Sequence, residues 1–426
     1  MIKAAEIYLW GTRIGVVYQD EGDVAASFEY DKSFLGSGIE LSPIKMPLSS
    51  KIYTFPELLR TTAFRGMPGL LADSLPDKFG NAVIDKWLIS QGRKPDSFSA
   101  IERLCYTGKR GMGALEYVPA NGPNDINDAV DVSEMVSLAS QVLQSKQNIS
   151  FSGNDITKMQ LIEIGSSAGG ARAKAVIAWN EQTGEIRSGQ ADAGSGFDYW
   201  LIKFDGVNGS GDHGIADGKQ YTLIEYAYYL MAKDLNIDMS ECRILHKDGL
   251  NHFMTKRFDR RNGTKVHTQT LAALAHLDYN VPNLCSYELY AWYARQLGIG
   301  MSGIEQIFRR MAFAVIGVNC DDHVKNFSFL MDKQGQWRLA PAYDLTFAYN
   351  PDNRWISAHQ MSINGKTKQI NENDILSCGT SMGLNIAKCK NIIRQTKEVV
   401  GHWNDYTSQC GISEKRAMEI WEIINK

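Results

Sequence analysis

The sequence has no two cysteines at the CxxC spacing, and its seven cysteines are scattered and odd in number. That argues against a disulfide framework and predicts free, mostly buried thiols in a reducing compartment. No apolar run is long enough to cross a bilayer, and nothing at Met1 resembles a secretory leader. The expectation is a cytoplasmic protein with no membrane partner. An excess of one charge is also missing. The 45 Lys and Arg stand against 48 Asp and Glu, for a net charge of −3, so nothing electrostatic favours nucleic acid as the main partner. Internal repeats and low-complexity tracts are absent.

What remains is 426 residues, 44% of them apolar. This is enough for sizeable cores and too long for one ordinary core. The first fifty residues read as strands and turns. "AAEIYLW" and "RIGVVYQ" flank Gly11-Thr12 as a hairpin, and "DVAASFEYD" is a third strand. "SLPDKFGNAVIDKWLIS" then turns helical, with Pro76 near its start and a stripe of Val83, Ile84, Trp87 and Leu88. The Asn-, Pro- and Asp-rich residues 119–128 mark a boundary, and Gly108, Gly111 and Gly113 read as a turn before a strand.

Further on, "AKAVIAWN" and "DYWLIKFDG" read as strands. In the second, Trp200, Ile202 and Phe204 face one way and Tyr199, Leu201 and Lys203 the other. "TLIEYAYYLMAKDLNI" carries a capping-box pattern at Thr222 and Glu225, and "SGIEQIFRRMAFAVIG" another at Ser302 and Glu305. "HFMTKRFDRR" is a strand ending in charge, and two or three helices follow Asn371. The division predicted is residues 1–120, 121–260 and 261–426. The first part is β-rich, the second mixed and the third mostly helical.

Two stretches carry chemistry. "IGSSAGGARAK" places Gly165 and Gly170 at the spacing of a phosphate loop, but Ala171 and Arg172 stand where Lys and Ser/Thr belong. The glycines still let the backbone approach an anion. The string Gly165-Ser166-Ser167-Ala168-Gly169 also satisfies a nucleophile elbow, which would make Ser167 a hydrolase nucleophile. That elbow requires a strand-to-helix turn, and "KAVIAWN" reads instead as a strand. In "NCDDHVKNFSFLMDKQGQWRLAPAYDLTF", Asp321 and Asn326 are five apart, the spacing of a kinase catalytic loop. A predicted hairpin follows, and Asp344 comes directly after it. Oxygen ligands from Asn326 and Asp344, together with nucleotide phosphates, suit Mg2+. Taken singly, each of these acids is equally explained by a solvated turn. His323 has no partner at a metal-ligand spacing.

The order of the parts is that of a protein kinase: a glycine loop, a strand with Lys203, a helix with Glu225, a strand at 252–258, the Asp-x-x-x-x-Asn loop, a hairpin and an aspartate. In detail, "GLLADSLPDKFG", "GKRGMGALEY", "GSSAGGARAKA", "LIKF", "KRFDR", "DDHVKNFS" and "APAYDL" together resemble the HipA family, the toxin kinases of type II toxin–antitoxin pairs. The resemblance covers most of the chain, in order. It implies an α+β protein in which a β-rich N-terminal domain precedes a kinase-like two-lobed core with a helical C-terminal lobe.

It further implies an ATP- and Mg2+-dependent serine/threonine protein kinase. Asp321 is then the catalytic base, and Asn326 and Asp344 hold Mg2+. Lys203 and the loop residues Ala168, Gly169, Gly170 and Ala171 take the phosphates, with Arg257, Phe258, His323 and Lys325 completing the ATP contacts. The family pattern carries an acid where this chain has Lys256. A loop serine, Ser167 or its rival Ser166, would be autophosphorylated as an off-switch. Implied partners are a protein substrate, such as an aminoacyl-tRNA synthetase or another translation factor, and a HipB-like helix-turn-helix antitoxin that contacts DNA in the toxin's stead. A kinase-shaped scaffold without catalysis is the alternative from another class.

Overall fold

A computed structural model of the chain describes residues 2–122, 129–144, 172–190, 192–207, 220–261 and 263–426. The predicted loop residues Ser166, Ser167, Ala168, Gly169, Gly170 and Ala171 lie outside the described residues. The chain divides into two compact units. The first is Met1–Asp217, Leu245–Gln269 and Leu330–Gln336, and the second is Gly218–Ile244, Thr270–Phe329 and Trp337–Lys426.

In the first unit the predicted hairpin forms with its turn one residue earlier than expected, because Thr12 already belongs to the second strand: β1 (Ala4–Leu9) pairs antiparallel with β2 (Thr12–Tyr18). Trp10 and Gly11 turn it with φ values of 50° and 82°, both left-handed, as a two-residue hairpin turn requires. β3 (Ser27–Tyr30), β4 (Ile52–Thr54) and β5 (Leu115–Val118) complete a five-stranded sheet in the order β4-β3-β2-β1-β5. Alternate residues such as Ile7, Leu9, Phe28 and Tyr30 are buried, so one face of this sheet lies on a core. Helices α1 (Gly69–Ala72), α2 (Lys78–Ser90) and α3 (Ala100–Thr107) lie between β4 and β5 in the chain. The Asp77 carboxylate caps α2 by accepting from Gly80 N at 2.7 Å.

Helix α4 (Val132–Gln144) precedes a second five-stranded sheet. Its strands are β6 (Lys174–Trp179), β7 (Ile186–Ser188), β8 (Asp198–Lys203), β9 (Cys242–Lys247) and β10 (Leu250–Lys256), in the order β7-β6-β8-β10-β9. One core joins this sheet to α2 and α4. Phe79 and Val83 come from α2; Val132, Met135, Val136 and Ala139 form the i, i+3, i+4, i+7 stripe of α4; Ala175, Ile177, Trp200, Ile202, Phe204 and Met254 come from the sheet region. Each such large apolar side chain, fully buried, contributes about 1.5–3 kcal/mol. The opposite face pairs Val176 with Leu201, which confirms the two faces predicted for β8. A short ribbon, β11 (Arg260–Arg261) with β12 (Thr264–Lys265), and strand β13 (His267–Thr270) follow.

The second unit is mostly helical, and it takes in residues 218–244 from the part predicted as mixed. It contains α5 (Tyr221–Asp234), α6 (Leu271–Ala275), α7 (Tyr287–Gln296) and α8 (Met301–Ile316). Strands β14 (Ser328–Met331) and β15 (Trp337–Leu339) form the expected hairpin arms. Four helices close the chain, not two or three: α9 (Glu372–Ser381), α10 (Ile386–Gly401), α11 (Trp403–Gln409) and α12 (Glu414–Ile424). Ile304, Ile307, Phe308 and Met311 of α8 are buried, and α8 packs against α7 and α10.

Neither capping box formed. Helix α5 starts at Tyr221 behind Gln220, which is left-handed at φ 72°, while Thr222 and Glu225 are buried inside the helix. Helix α8 starts behind Gly300 with no side-chain cap. There Glu305 pairs with Arg309 at 2.8 Å and Lys388 at 2.7 Å, a better use of its charge than a frayed helix end. All seven cysteines are free, and six are buried. No helix among the described residues is long and apolar enough to cross a membrane.

Candidate active site

The acidic loop of the second unit begins where α8 stops. The carbonyl of Gly317, which follows α8, accepts from the buried Tyr228 hydroxyl. Val318 then takes a left-handed φ of 55°. The chain is fixed to the stretch beyond Asp344 by Cys320 N donating to Ala348 O at 2.8 Å and Ala348 N donating to Val318 O at 3.1 Å. Asp321 comes next, with its side chain one-quarter exposed. Its backbone N–H donates to Asn319 Oδ1 at 3.3 Å, and its carbonyl accepts from Asn326 Nδ2 at 2.8 Å. Asn326 ends a single 3₁₀ turn, Val324–Asn326, so the five-residue spacing folds back on itself. The Asn326 side chain therefore braces the loop that presents Asp321.

The other end of the Asn326 amide matters for metal binding. Its Oδ1 is buried and has no hydrogen-bond partner. A buried acceptor without a protein partner is open to a water or an ion. It is also the hard oxygen donor that Mg2+ takes, so the residues fit the ion. Asp344 has φ 54°, a conformation that costs an L residue about 1–2 kcal/mol and that gathers at functional sites.

The approach to Asp344 is held from two sides. Arg310 Nη2 donates to Ala340 O at 2.9 Å, and Ala342 N donates to Asp238 O at 2.7 Å. The Tyr343 hydroxyl donates to Lys325 O at 2.8 Å and lies 2.6 Å from Ser328 Oγ. One phenol thus ties the residue before Asp344 to the residue before Asn326. The two predicted metal ligands are braced by the same side chain.

His323 and Lys325 flank this turn. His323 Nε2 lies 3.9 Å from Asp321 Oδ1, and its ring centroid is 5.7 Å from that of Tyr279. Lys325 is buried with its Nζ 5.0 Å over the same Tyr279 ring, a cation–π contact.

Sequence reading missed the partners of Asp322. Its carboxylate is buried and accepts from Tyr287 Oη at 3.0 Å, His359 Nδ1 at 2.9 Å and Gln360 N at 2.7 Å. Burial alone would strip His359 of its proton. The charge and hydrogen bond of Asp322, helped by a hydrogen bond with the Cys320 thiol, outweigh it and hold the imidazole at about 10. Burial and the Asp322 charge likewise drive the Tyr287 phenol well above its ordinary value. The adjacent Asp321 and Asp322 were the available signal, but His359 lies 37 residues from Asp322 with no spacing rule to link them.

In the first unit Lys203 ends β8, is buried, and stands in register with Lys174 of β6 and Phe253 of β10. Its Nζ is 5.8 Å from the Phe253 ring centroid. Arg257 is committed to Asp259, with Nε donating to Oδ1 at 2.8 Å and Nη2 to Oδ2 at 2.7 Å. Arg260 and the backbone N–H of Gly113 also reach Asp259 Oδ2, each at 2.7 Å. Burial would raise the Asp259 carboxyl, but Arg257 and Arg260 hold it well below the carboxylate range. Gly113 has φ +77°, and a Cβ there would lie 3.1 Å from Thr268 N, so this turn requires glycine. Phe258 is half-buried. Lys256 pairs with Asp198 at 2.7 Å.

The described residues that follow the glycine stretch form strand β6, as its sequence predicts; Ser167 itself lies outside the described residues.

The family profile described as the HipA-like C-terminal domain matches residues 166–422, and the HipA N-terminal domain profile matches residues 5–118. A Haemophilus influenzae protein named "Putative kinase" is 29% identical over 159 residues, 33% of this chain. The match covers 46% of that relative, so the chain spans about half the length of the curated relative it matches. A chain of the Shewanella oneidensis MR-1 toxin–antitoxin complex of HipA, HipB and operator DNA is similar with a TM-score of 0.69. That match covers 99% of this chain and 95% of the other at 16% identity, a likeness of fold.

Proposed function

This chain belongs to the HipA family, and on that footing we propose that it is the toxin of a toxin–antitoxin pair, an ATP- and Mg2+-dependent serine/threonine protein kinase. The observation that carries the reading is the Asp321–Asn326 turn. It presents a part-exposed carboxylate on a loop whose brace, Asn326, keeps a buried oxygen without a partner.

In this reading Asp321 orients the substrate hydroxyl and takes its proton, as the base of a kinase catalytic loop does. Asn326 and Asp344 hold Mg2+, which when bound with ATP neutralises charge on the phosphates. Lys203 offsets charge on the transferring group. Arg257, Phe258, His323, Lys325 and the backbone of residues 168–171 complete the nucleotide contacts. Ser167, with Ser166 as its rival, is the autophosphorylation site. A phosphate there adds about −1.5 to −2 charges beside groups that bind phosphate, which switches the kinase off. The partners proposed are a translation factor as substrate and a helix-turn-helix antitoxin, in line with the HipB of the Shewanella complex.

Incubation with labelled ATP and Mg2+ is expected to label the protein itself, and Asp321→Ala and Asp344→Ala each abolish the label. Wild-type labelling in either variant overturns the site assignment. The Ser166→Ala/Ser167→Ala double variant is expected to lose the label and keep transfer to its target. Phosphate mapped to another residue refutes the switch. If calorimetry finds no binding of ATP in the presence of Mg2+, the chain is a kinase-shaped scaffold.

A further inference from the structure

We propose that His359 is a positioning residue for phosphoryl transfer, acting by clamping Asp322, the residue that follows Asp321. The inference rests on the kinase reading above. Its geometry is independent of any nucleotide.

The Asp321 backbone is held at Asn319 Oδ1 and Asn326 Nδ2, and His323 Nε2 lies 3.9 Å from its carboxylate. Its neighbours are held much harder. The Asp322 carboxylate takes three donors on two oxygens. Tyr287 Oη and His359 Nδ1 reach Oδ2, and Gln360 N reaches Oδ1. Three donors on a planar group fix its position and its plane. Cys320 is held by its N–H on Ala348 O. The residues on both sides of Asp321 are therefore fixed, and His359 holds the one that follows it.

The donors are themselves anchored. Tyr287 begins α7, and its N–H donates to Ser362 O at 3.0 Å; His359 N donates to Thr367 O at 3.0 Å; Gln360 O accepts from Asn283 N at 2.8 Å. The Cα of Asp322 is about 3.8 Å from that of Asp321, so the clamp leaves the catalytic carboxylate little travel. Packing alone does not call for this arrangement. A buried ion pair contributes little net stability compared with apolar residues of the same volume, whereas a misplacement of about 1 Å in a reacting group costs about 100-fold in rate.

The test measures autophosphorylation rate against ATP concentration, together with amide hydrogen exchange of residues 319–327, in the full chain. His359→Ala is expected to lower the maximal rate at least about tenfold while half-saturating ATP shifts less than about threefold. Exchange across the loop should accelerate by about tenfold or more. In His359→Asn the amide nitrogen reaches the place of Nδ1 and restores rate and protection to within about threefold of wild type; His359→Gln does not. If His359→Ala fails to fold, Tyr287→Phe removes one donor from Asp322 and carries the same comparison. A His359→Ala maximal rate within about twofold of wild type, or a His359→Asn variant as slow as His359→Ala, overturns the proposal. Should wild type incorporate no phosphate, the kinase reading falls. The exchange data then decide the clamp alone: loss in His359→Ala and recovery in His359→Asn sustain it, and unchanged exchange overturns it.

Discussion

Lys174 and Asp77 form a buried ion pair, Nζ to Oδ2 at 3.0 Å, with side chains 4% and 3% exposed. Lys174 closes the glycine-rich stretch and opens β6; Asp77 caps α2. The contact ties the start of β6 to the helix that shares its core. Removing one member leaves the other charged and buried, so Lys174→Met is expected to cost about 3–5 kcal/mol. Adding Asp77→Asn, which keeps the N-cap oxygen for Gly80, removes the stranded charge. Urea unfolding is expected to show a coupling energy of at least about 1 kcal/mol. Strict additivity would show that the pair is not coupled.

Asp259 makes a different demand. Burial opposes its charge, and Arg257 and Arg260 overcome it, so its folded pKa lies below the unfolded value of 3.8. A depressed carboxyl stabilises the fold fully above the unfolded value, and the contribution is lost as pH falls through the folded one. Asp259→Asn strands two buried guanidinium groups at neutral pH and is expected to cost about 3–5 kcal/mol. The gap to wild type should narrow as pH drops below 3.8. Unfolding midpoints measured from pH 7 downward check this, and a gap independent of pH refutes it.

These networks show where sequence reading succeeds and where it stops. Strands β6, β8 and β10 were legible as short apolar runs bounded by polar or turn residues, the mark of a strand buried on both faces at its centre. The β14–β15 hairpin was legible because a polar turn separates two apolar runs. The capping boxes were misread because a local string cannot weigh tertiary partners. Gln220, not Thr222, precedes α5, and its side chain donates to Gly411 O at 3.3 Å and accepts from Ser413 N at 3.1 Å. Glycines 108, 111 and 113 were read as a turn, which is correct but incomplete. The turn also offers Asp259 a donor and Arg260 two carbonyl acceptors. Asp321 and Asn326 declared themselves by spacing within one loop, whereas the Asp322 clamp joins residues whose proximity only the fold creates.

The Asp322–His359 pair has the opposite pH signature to Asp259. His359 is raised from 6.5 to about 10 against the pull of burial. A cation raised on folding stabilises fully below the unfolded value, and its contribution is lost as pH rises through the folded one. Wild type is therefore expected to lose stability between pH 6.5 and about 10. The His359→Asn variant, which cannot titrate, should lack this slope. Parallel curves for the two proteins across that window would show that His359 does not carry the charge.

Asn326 can be divided into its two ends. Nδ2 braces the Asp321 carbonyl, and the buried Oδ1 is the proposed metal ligand. Asn326→Asp keeps an oxygen where Oδ1 stands and removes the donor; Asn326→Ala removes both. Titration of autophosphorylation with Mg2+ separates them. Asn326→Ala is expected to raise the Mg2+ concentration for half-maximal rate at least about tenfold. Asn326→Asp should leave that concentration within about threefold and lower the maximal rate, because the loop that presents Asp321 has lost its brace. Equal Mg2+ midpoints in Asn326→Ala and wild type would remove Oδ1 from the metal site and leave Asn326 as the brace of Asp321 alone.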